Sequence, residues 1–182
     1  MSKSPEDIYN PDYWKKRLQK APLDELHRAV FITDKANWLN IAHKHKRILE
    51  RLVLPNESVL DIGCGWGRLL NLLPKSWIGQ YVGVDLSPDF IGMARQQYPD
   101  RTFWEGPAEV VLPQIQDQIY PAKFDWTVLV SVRPMIQRNC GGQVWDEIEV
   151  EIRKVTRRIL YLEYDSHDEG EIVIIDPTLQ PA

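Results

Sequence analysis

Between about Asp34 and Val53 apolar residues return every three or four positions, and Trp38, Ile41, Ala42, Ile48, Leu49 and Leu52 define one buried stripe of a helix. Thr33 or Asp34 serves as its N-cap, and a shorter helical pattern precedes it from Leu23 to Phe31. His45 falls on the stripe, where a hydrogen-bonded core histidine is expected. His43, Lys44, Lys46 and Arg47 fall mostly off it, so His43 and His45 point apart and do not make a paired metal site. From Ser58 onward the pattern changes. Short apolar runs now alternate with helical stretches: strand SVLDI, turn GCGWG, helix RLLNLLP, strand YVGVD, then a helix opened by SPDF. Ser87 is the expected N-cap of that helix, and Pro88 takes the first helical position, where a missing N–H costs nothing.

Further on, RTFW is a short strand, FDWTVLVSV a longer buried one, QVWDEIEVEIRKV a helix and RRILYLEYD another buried strand. Strands alternating with helices predict an α/β fold, a Rossmann-like doubly wound, mostly parallel sheet with helices on both faces. GEIVIIDP adds a short C-terminal strand, expected to be antiparallel at or near the edge because little chain remains for a crossover. With 182 residues the chain fits one compact domain. Residues 1–54 are expected to form a helical cap or lid, and 55–182 the core.

Composition changes this picture little. The chain is 43% hydrophobic and 26% charged, ordinary values for a globular protein. No apolar run approaches a membrane span, and the first residues lack the apolar core of a signal peptide, so a cytoplasmic location is expected. Two cysteines, Cys64 and Cys140, make neither a disulfide framework nor a metal cluster. Charge is uneven: residues 1–54 carry +4 and the remainder -8, which together give the net -4. A basic segment of this kind marks either a phosphate-facing surface or a solvated helix face.

The glycines carry the candidate chemistry. Gly63, Gly65 and Gly67 stand at alternating positions directly after the first strand, at the carboxyl end of the sheet where ligands of such folds bind. A dinucleotide fingerprint needs G-x-G-x-x-G, whereas this turn reads G-x-G-x-G with Asp61 just ahead of it. A carboxylate there repels a pyrophosphate and attracts an ammonium group. Asp85 ends the second strand, 24 positions after Asp61, where a ribose diol can donate two hydrogen bonds to it. The pattern therefore suits a nucleoside with a cationic, amino-acid-like tail.

Together VLDIGCGWG and GVDLSPDFIGMAR resemble the class I S-adenosylmethionine-dependent methyltransferases, over roughly Val53 to Asp165. The resemblance implies S-adenosylmethionine (SAM) as cofactor. Asp61, Gly63, Cys64 and Gly65 would hold its methionine end and Asp85 its ribose hydroxyls, with Leu86 and Met93 packing on adenine. The third motif departs from the family: WEGPAEV puts Pro107 where an Asp often accepts from the adenine amino group, which leaves Ala108 or Glu109 to read the base. For Glu109 a helix-start acid is the competing reading.

In the same family the end of the fourth strand meets the substrate. Here that end reads Ser131, Val132, Arg133, with Ser131 against the cofactor and Arg133 aimed at an acidic acceptor. It is not the Asn/Asp-Pro-Pro-aromatic motif of nucleic-acid adenine methyltransferases, which disfavours that branch. Glu163, Asp165 and His167 cluster at the end of the fifth strand, where one of them would supply a base, Glu163 and His167 being the catalytic candidates. Tyr9, Tyr13 and Trp14 are candidates for a lid over the cofactor.

Three functions compete: methyl transfer to an O or N atom of a small molecule, which is favoured; a non-catalytic SAM-binding sensor or partner subunit; and an RNA methyltransferase using the basic helix. No metal and no membrane are expected. The acceptor and the oligomeric state are not legible in the sequence.

Overall fold

A computed structural model describes residues 10–30, 35–73, 78–119, 122–162 and 172–175. Its centre is a sheet of β1 (Glu57–Ile62), β2 (Ile78–Asp85), β3 (Thr102–Glu105), β4 (Phe124–Val130), β5 (Thr156–Leu162) and β6 (Ile172–Ile175), in the order β3-β2-β1-β4-β5-β6. The first five strands run parallel, with Leu60 opposite Val82 on one side and Thr127 on the other. The sixth pairs antiparallel with β5, Ile159 against Ile175. β1 lies between β2 and β4, so the chain's direction of winding reverses there, the place where open α/β sheets bind ligands.

Alternation along the strands sends side chains to two cores. Leu60, Ile62, Val82 and Val84 pack under α4 (Ala108–Ile119), α5 (Arg133–Cys140) and α6 (Gly142–Val155). Val59, Tyr81 and Phe103 face the opposite layer, built from α2 (Lys35–Leu52) and α3 (Pro88–Gln97). The helical stripe of α2 is as its periodicity requires: Ile41, His45 and Leu49 are buried, while His43, Lys44, Lys46 and Arg47 are exposed. α3 begins at its expected cap, with the Phe90 N–H donating to Ser87 Oγ at 3.4 Å and Pro88 in the first turn.

One expected helix is much shorter. After the glycine turn the chain makes only a 3-10 turn, Arg68–Asn71, before residues 74–77, which precede β2. The crossover from Ile62 to Ile78 leaves little chain for a full helix, and Leu69, Leu70 and Leu73 are buried nonetheless.

The N-terminal layer consists of α1 (Pro11–Lys20) and a 3-10 segment, Leu23–Val30. Asn10 caps α1 by accepting from the Asp12 N–H at 2.9 Å. Arg17 then fastens α1 to the 3-10 segment through the Ala29 and Arg28 carbonyls. Trp14, Ala29, Trp66 and Phe90 form a third, aromatic core joining this layer to the glycine turn and α3. At the opposite, amino edge of the sheet Glu57 accepts from Trp126 Nε1 at 2.7 Å and pairs with Arg158, while Ser58 and Asp125 exchange hydrogen bonds. That edge holds β1, β4 and β5 together away from the ligand side. Among the described residues no helix is long and apolar enough to cross a membrane.

Candidate active site

Gly63, Gly65 and Gly67 all adopt positive φ, 73°, 55° and 81°. The turn they make is pinned from both sides: the Gly63 and Cys64 N–H groups donate to the Val84 carbonyl, and the Gly65 N–H donates to Asp85 Oδ2 at 2.8 Å. Asp85 Oδ1 accepts from the Ser87 N–H at 2.9 Å, so one carboxylate ties the glycine turn to the start of α3. A Cβ built on Gly65 would meet no atom within 4 Å, and one on Gly63 would lie 2.5 Å from Val132 Cγ2. Gly65 thus leaves an open space on the ligand side of the turn.

That space opens into a cavity walled by Gly63, Gly65, Asp85, Leu86, Ala108 and Ser131, residues that sequence motifs alone had singled out. Ile62 and Val84 form its floor, Gly106 and Pro107 flank Ala108, and Val132, Met135, Ile136 and Cys140 close one side. Trp14, Val30 and Phe90 reach over it from the N-terminal layer and α3. Among the described residues Asp85 is the one charged residue on these walls. Ser131, with φ 58°, is a non-glycine residue held in the left-handed region at the rim.

Five expected site residues, Asp61, Cys64, Met93, Glu109 and Arg133, lie off these walls. Asp61 is buried on the other face of β1, because Ile62 takes the cavity side and strand alternation turns its neighbour away. Its carboxylate accepts from Tyr81 Oη at 2.7 Å. Cys64 points beneath the turn, its thiol against the Gly65 carbonyl and close to Gly83. Glu109 stands in the first turn of α4, one residue beyond the wall formed by Pro107 and Ala108. Arg133 opens α5 and is turned toward β5, with its guanidinium 4.7 Å from the centre of the Tyr161 ring. Met93, expected at adenine, packs in the aromatic core instead. Glu163, Asp165, His167 and Tyr9 lie outside the described residues. Tyr13 packs edge-on to Trp14, which alone of the lid candidates in the described residues lines the cavity.

Burial pushes the Asp61 carboxyl up to about 7, against the opposing pull of the Tyr81 hydroxyl and the Arg68 cation and with a further push from Asp85. Asp85 is raised to about 6 by burial, with the Ser87 and Gly65 N–H bonds opposing. Both groups hold protons more tightly folded than unfolded, so their contribution to stability falls as pH rises from about 4 through 7. Asp61→Asn keeps an acceptor for Tyr81 and removes the buried charge. It should therefore be more stable than wild type at pH 7, with a shallower decline between pH 4 and 7. Urea midpoints at pH 4, 5.5 and 7 test this, and identical slopes for the two proteins would refute it.

The pairing of an open glycine cradle with a carboxylate at the end of β2 fits the nucleoside and tail of SAM on geometry alone. Comparison with known proteins agrees. Residues 59–149 match the model of a methyltransferase domain family. Trans-aconitate 2-methyltransferase of Afipia carboxidovorans is 37% identical over 76 residues, which are 40% of this chain and 30% of that enzyme. The chain therefore spans less than a third of that relative. Among solved structures, a TehB-like SAM-dependent methyltransferase from Corynebacterium glutamicum superposes with a TM-score of 0.54 at 22% identity, over 84% of this chain and 73% of the other. Phosphoethanolamine N-methyltransferase 1 of Haemonchus contortus, solved with phosphoethanolamine and S-adenosylhomocysteine, gives 0.63 at 16% identity, over 90% of this chain and 33% of the other. The two structures share the fold. With half its length matched by the family model around this cradle, the chain belongs to the methyltransferase domain family, and with it to the class I SAM-dependent methyltransferase superfamily.

Proposed function

We propose that the protein binds SAM in this cavity and transfers its methyl group to an O or N atom of a small molecule. The observation that carries the reading is the Asp85 carboxylate, fixed by the Gly65 and Ser87 N–H groups beside the open Gly65 cradle. Each Asp85 oxygen keeps a lone pair for a ribose hydroxyl. Leu86 and Ala108 offer apolar faces to adenine, and Gly63 and Gly65 let the methionine end approach backbone.

Bound SAM supplies an electrophilic methyl carbon on a sulfonium. The chain's own part is alignment and exclusion of water. Trp14, Val30, Val132 and Met135 give the acceptor side of the cavity an apolar, covered character, which suits a small acceptor better than a polymer. Within residues 1–54, α1 and the 3-10 segment act in this reading as a cap over the cavity, through Trp14 and Val30, whereas α2 packs on the sheet as one of its helix layers. Arg133 retains a role only through the rim of β4 and β5, where it stacks on Tyr161. Titration calorimetry with SAM, S-adenosylhomocysteine and NAD tests the reading, and heat from NAD alone would end it. SAM binding without turnover of any small acceptor would instead favour the sensor or partner-subunit alternative.

An RNA acceptor has one observation in its favour, the exposed basic face of α2. Among the described residues Lys46 is paired only with Glu50, at 3.7 Å and in solvent. Replacing Lys44, Lys46 and Arg47 together by Gln should leave SAM affinity unchanged and shift stability by no more than about 0.5 kcal/mol per site. In filter binding, wild type should show no RNA affinity that depends steeply on salt. A steep slope, reduced in the variant by roughly 0.7 per lost contact, would make RNA the acceptor.

A further inference from the structure

Arg68 follows the third glycine of the turn and sits in unusual surroundings. Its guanidinium lies 5.0 Å from the centre of the Trp38 ring. It is half-buried, and among the described residues no hydrogen bond or ion pair reaches it. Asp61 is near enough to be felt electrostatically but forms no ion pair with it. His45, buried alongside, has an Nδ1 without a partner. Burial and the Arg68 charge hold that imidazole neutral, down to about 3. Burial also draws Arg68 itself down to about 10, although Asp61 opposes this. A cation has been taken partly out of water here without being given an anion.

Stacking on an aromatic face uses the guanidinium plane and leaves its in-plane N–H donors available for a two-point bond with a carboxylate. The surrounding rings connect this place to the cavity. Trp38 packs on Trp66 at 6.2 Å, Trp66 stands between Gly65 and Gly67 and packs on Phe90 at 5.5 Å, and both Gly65 and Phe90 line the cavity. Asp85 takes the ribose in the reading above, so the amino-acid tail of SAM runs away from β2, across Gly63 and Gly65, toward this layer.

We propose that Arg68 is the carboxylate-binding residue for the amino-acid end of SAM, held ready by Trp38 and released to the ligand as a planar two-point clamp. The inference rests on the SAM reading of the cavity. Asp61, turned to Tyr81 on the far face of β1, takes no part in this contact, and the Arg68 cation alone draws the carboxylate side of the zwitterionic tail. Trp38 and Trp66 become parts of the cofactor site although neither touches the cavity.

The test compares S-adenosylhomocysteine with its decarboxylated analogue, which keeps the adenosine, the sulfur and the amine. Calorimetry on wild type should give at least a tenfold preference for the carboxylate-bearing ligand. Arg68→Gln should lose that preference by weakening S-adenosylhomocysteine about tenfold or more while leaving the analogue within twofold. Arg68→Lys should recover part of it. Equal weakening of both ligands in Arg68→Gln would mean that the residue only supports the turn, and would overturn the proposal. Should Arg68→Gln fail to fold, wild type decides alone, because equal affinity for the two ligands overturns it as well. A wild type that binds the analogue but not S-adenosylhomocysteine refutes the clamp and leaves the nucleoside site standing. One that binds neither ligand refutes the cofactor reading itself, and the clamp with it.

Discussion

Asp85→Ala should raise the dissociation constant for SAM by roughly 100-fold or more, the largest loss expected of any single carboxylate in the site. Two ribose hydroxyls lose a charged acceptor, each such bond being worth about 1.5–3 kcal/mol, and every 1.4 kcal/mol or so is tenfold in affinity. The substitution also strips the Gly65 and Ser87 N–H groups of their acceptor, so the turn loosens as the ligand contact disappears. Stability has two opposing terms. Lost hydrogen bonds lower it, while removing a carboxyl that burial has raised to about 6 returns some of the desolvation cost. Asp85→Asn separates them in part, because it removes the charge and keeps one acceptor while its NH2 faces the other N–H donor, so it should fold better than Asp85→Ala and still bind SAM weakly. Calorimetry and thermal unfolding on the three proteins give both readings. Wild-type affinity in Asp85→Ala would remove the ribose from this position.

Gly65→Val should abolish SAM binding and leave a folded protein. The branched side chain resists a φ of 55° at a cost of about 1–2 kcal/mol, yet it meets no protein atom within 4 Å. It projects into the space that the ligand's tail needs. Gly83→Ala makes the contrast. Its Cβ would lie 2.7 Å from Phe103 Cδ1 and 2.8 Å from the Cys64 sulfur, inside the core, so the lesion there is in folding. Circular dichroism and a SAM titration on each variant distinguish the outcomes. Insoluble or unfolded Gly65→Val would assign the turn to structure, and undiminished SAM binding would move the ligand elsewhere.

The order of elements was legible because its signals are local. Apolar runs of strand length, the glycine turn and the Ser87-Pro88 cap depend on neighbouring residues only, and they led to Gly63, Gly65, Asp85, Leu86, Ala108 and Ser131 on one cavity. Asp61 lies off the cavity, and the sequence carries the signal for it. Leu60 and Ile62 are both apolar, and alternation turns the residue between them to the opposite face, toward Tyr81. The expectation that Arg133 enters the cleft rests on a fourth strand running through Val132. The strand ends at Val130, and the left-handed Ser131 turns the chain into α5, which carries Arg133 toward Tyr161. Val30, Met135, Ile136 and Cys140 carried no signal at all. They become wall residues only because the 3-10 segment and α5 are packed against the sheet edge, a tertiary fact.

The position of β1 also bears on when the site comes into being. Its partner β2 follows at once, but its other neighbour is β4, and Ser58 bonds Asp125 across 67 positions of sequence. Pairing at such separation carries a loop-closure cost before it returns any contact energy, so the β1–β4 pair is expected to form more slowly than the β1–β2 pair. The glycine turn and Asp85 are thus together early, within one βα unit. The wall made by Ser131, Val132 and Met135 arrives only with β4 and α5. A nascent chain that has emerged only through α3 carries Asp85 and its glycine turn but lacks the Ser131, Val132 and Met135 wall, so the cavity can be enclosed only once α5 has emerged.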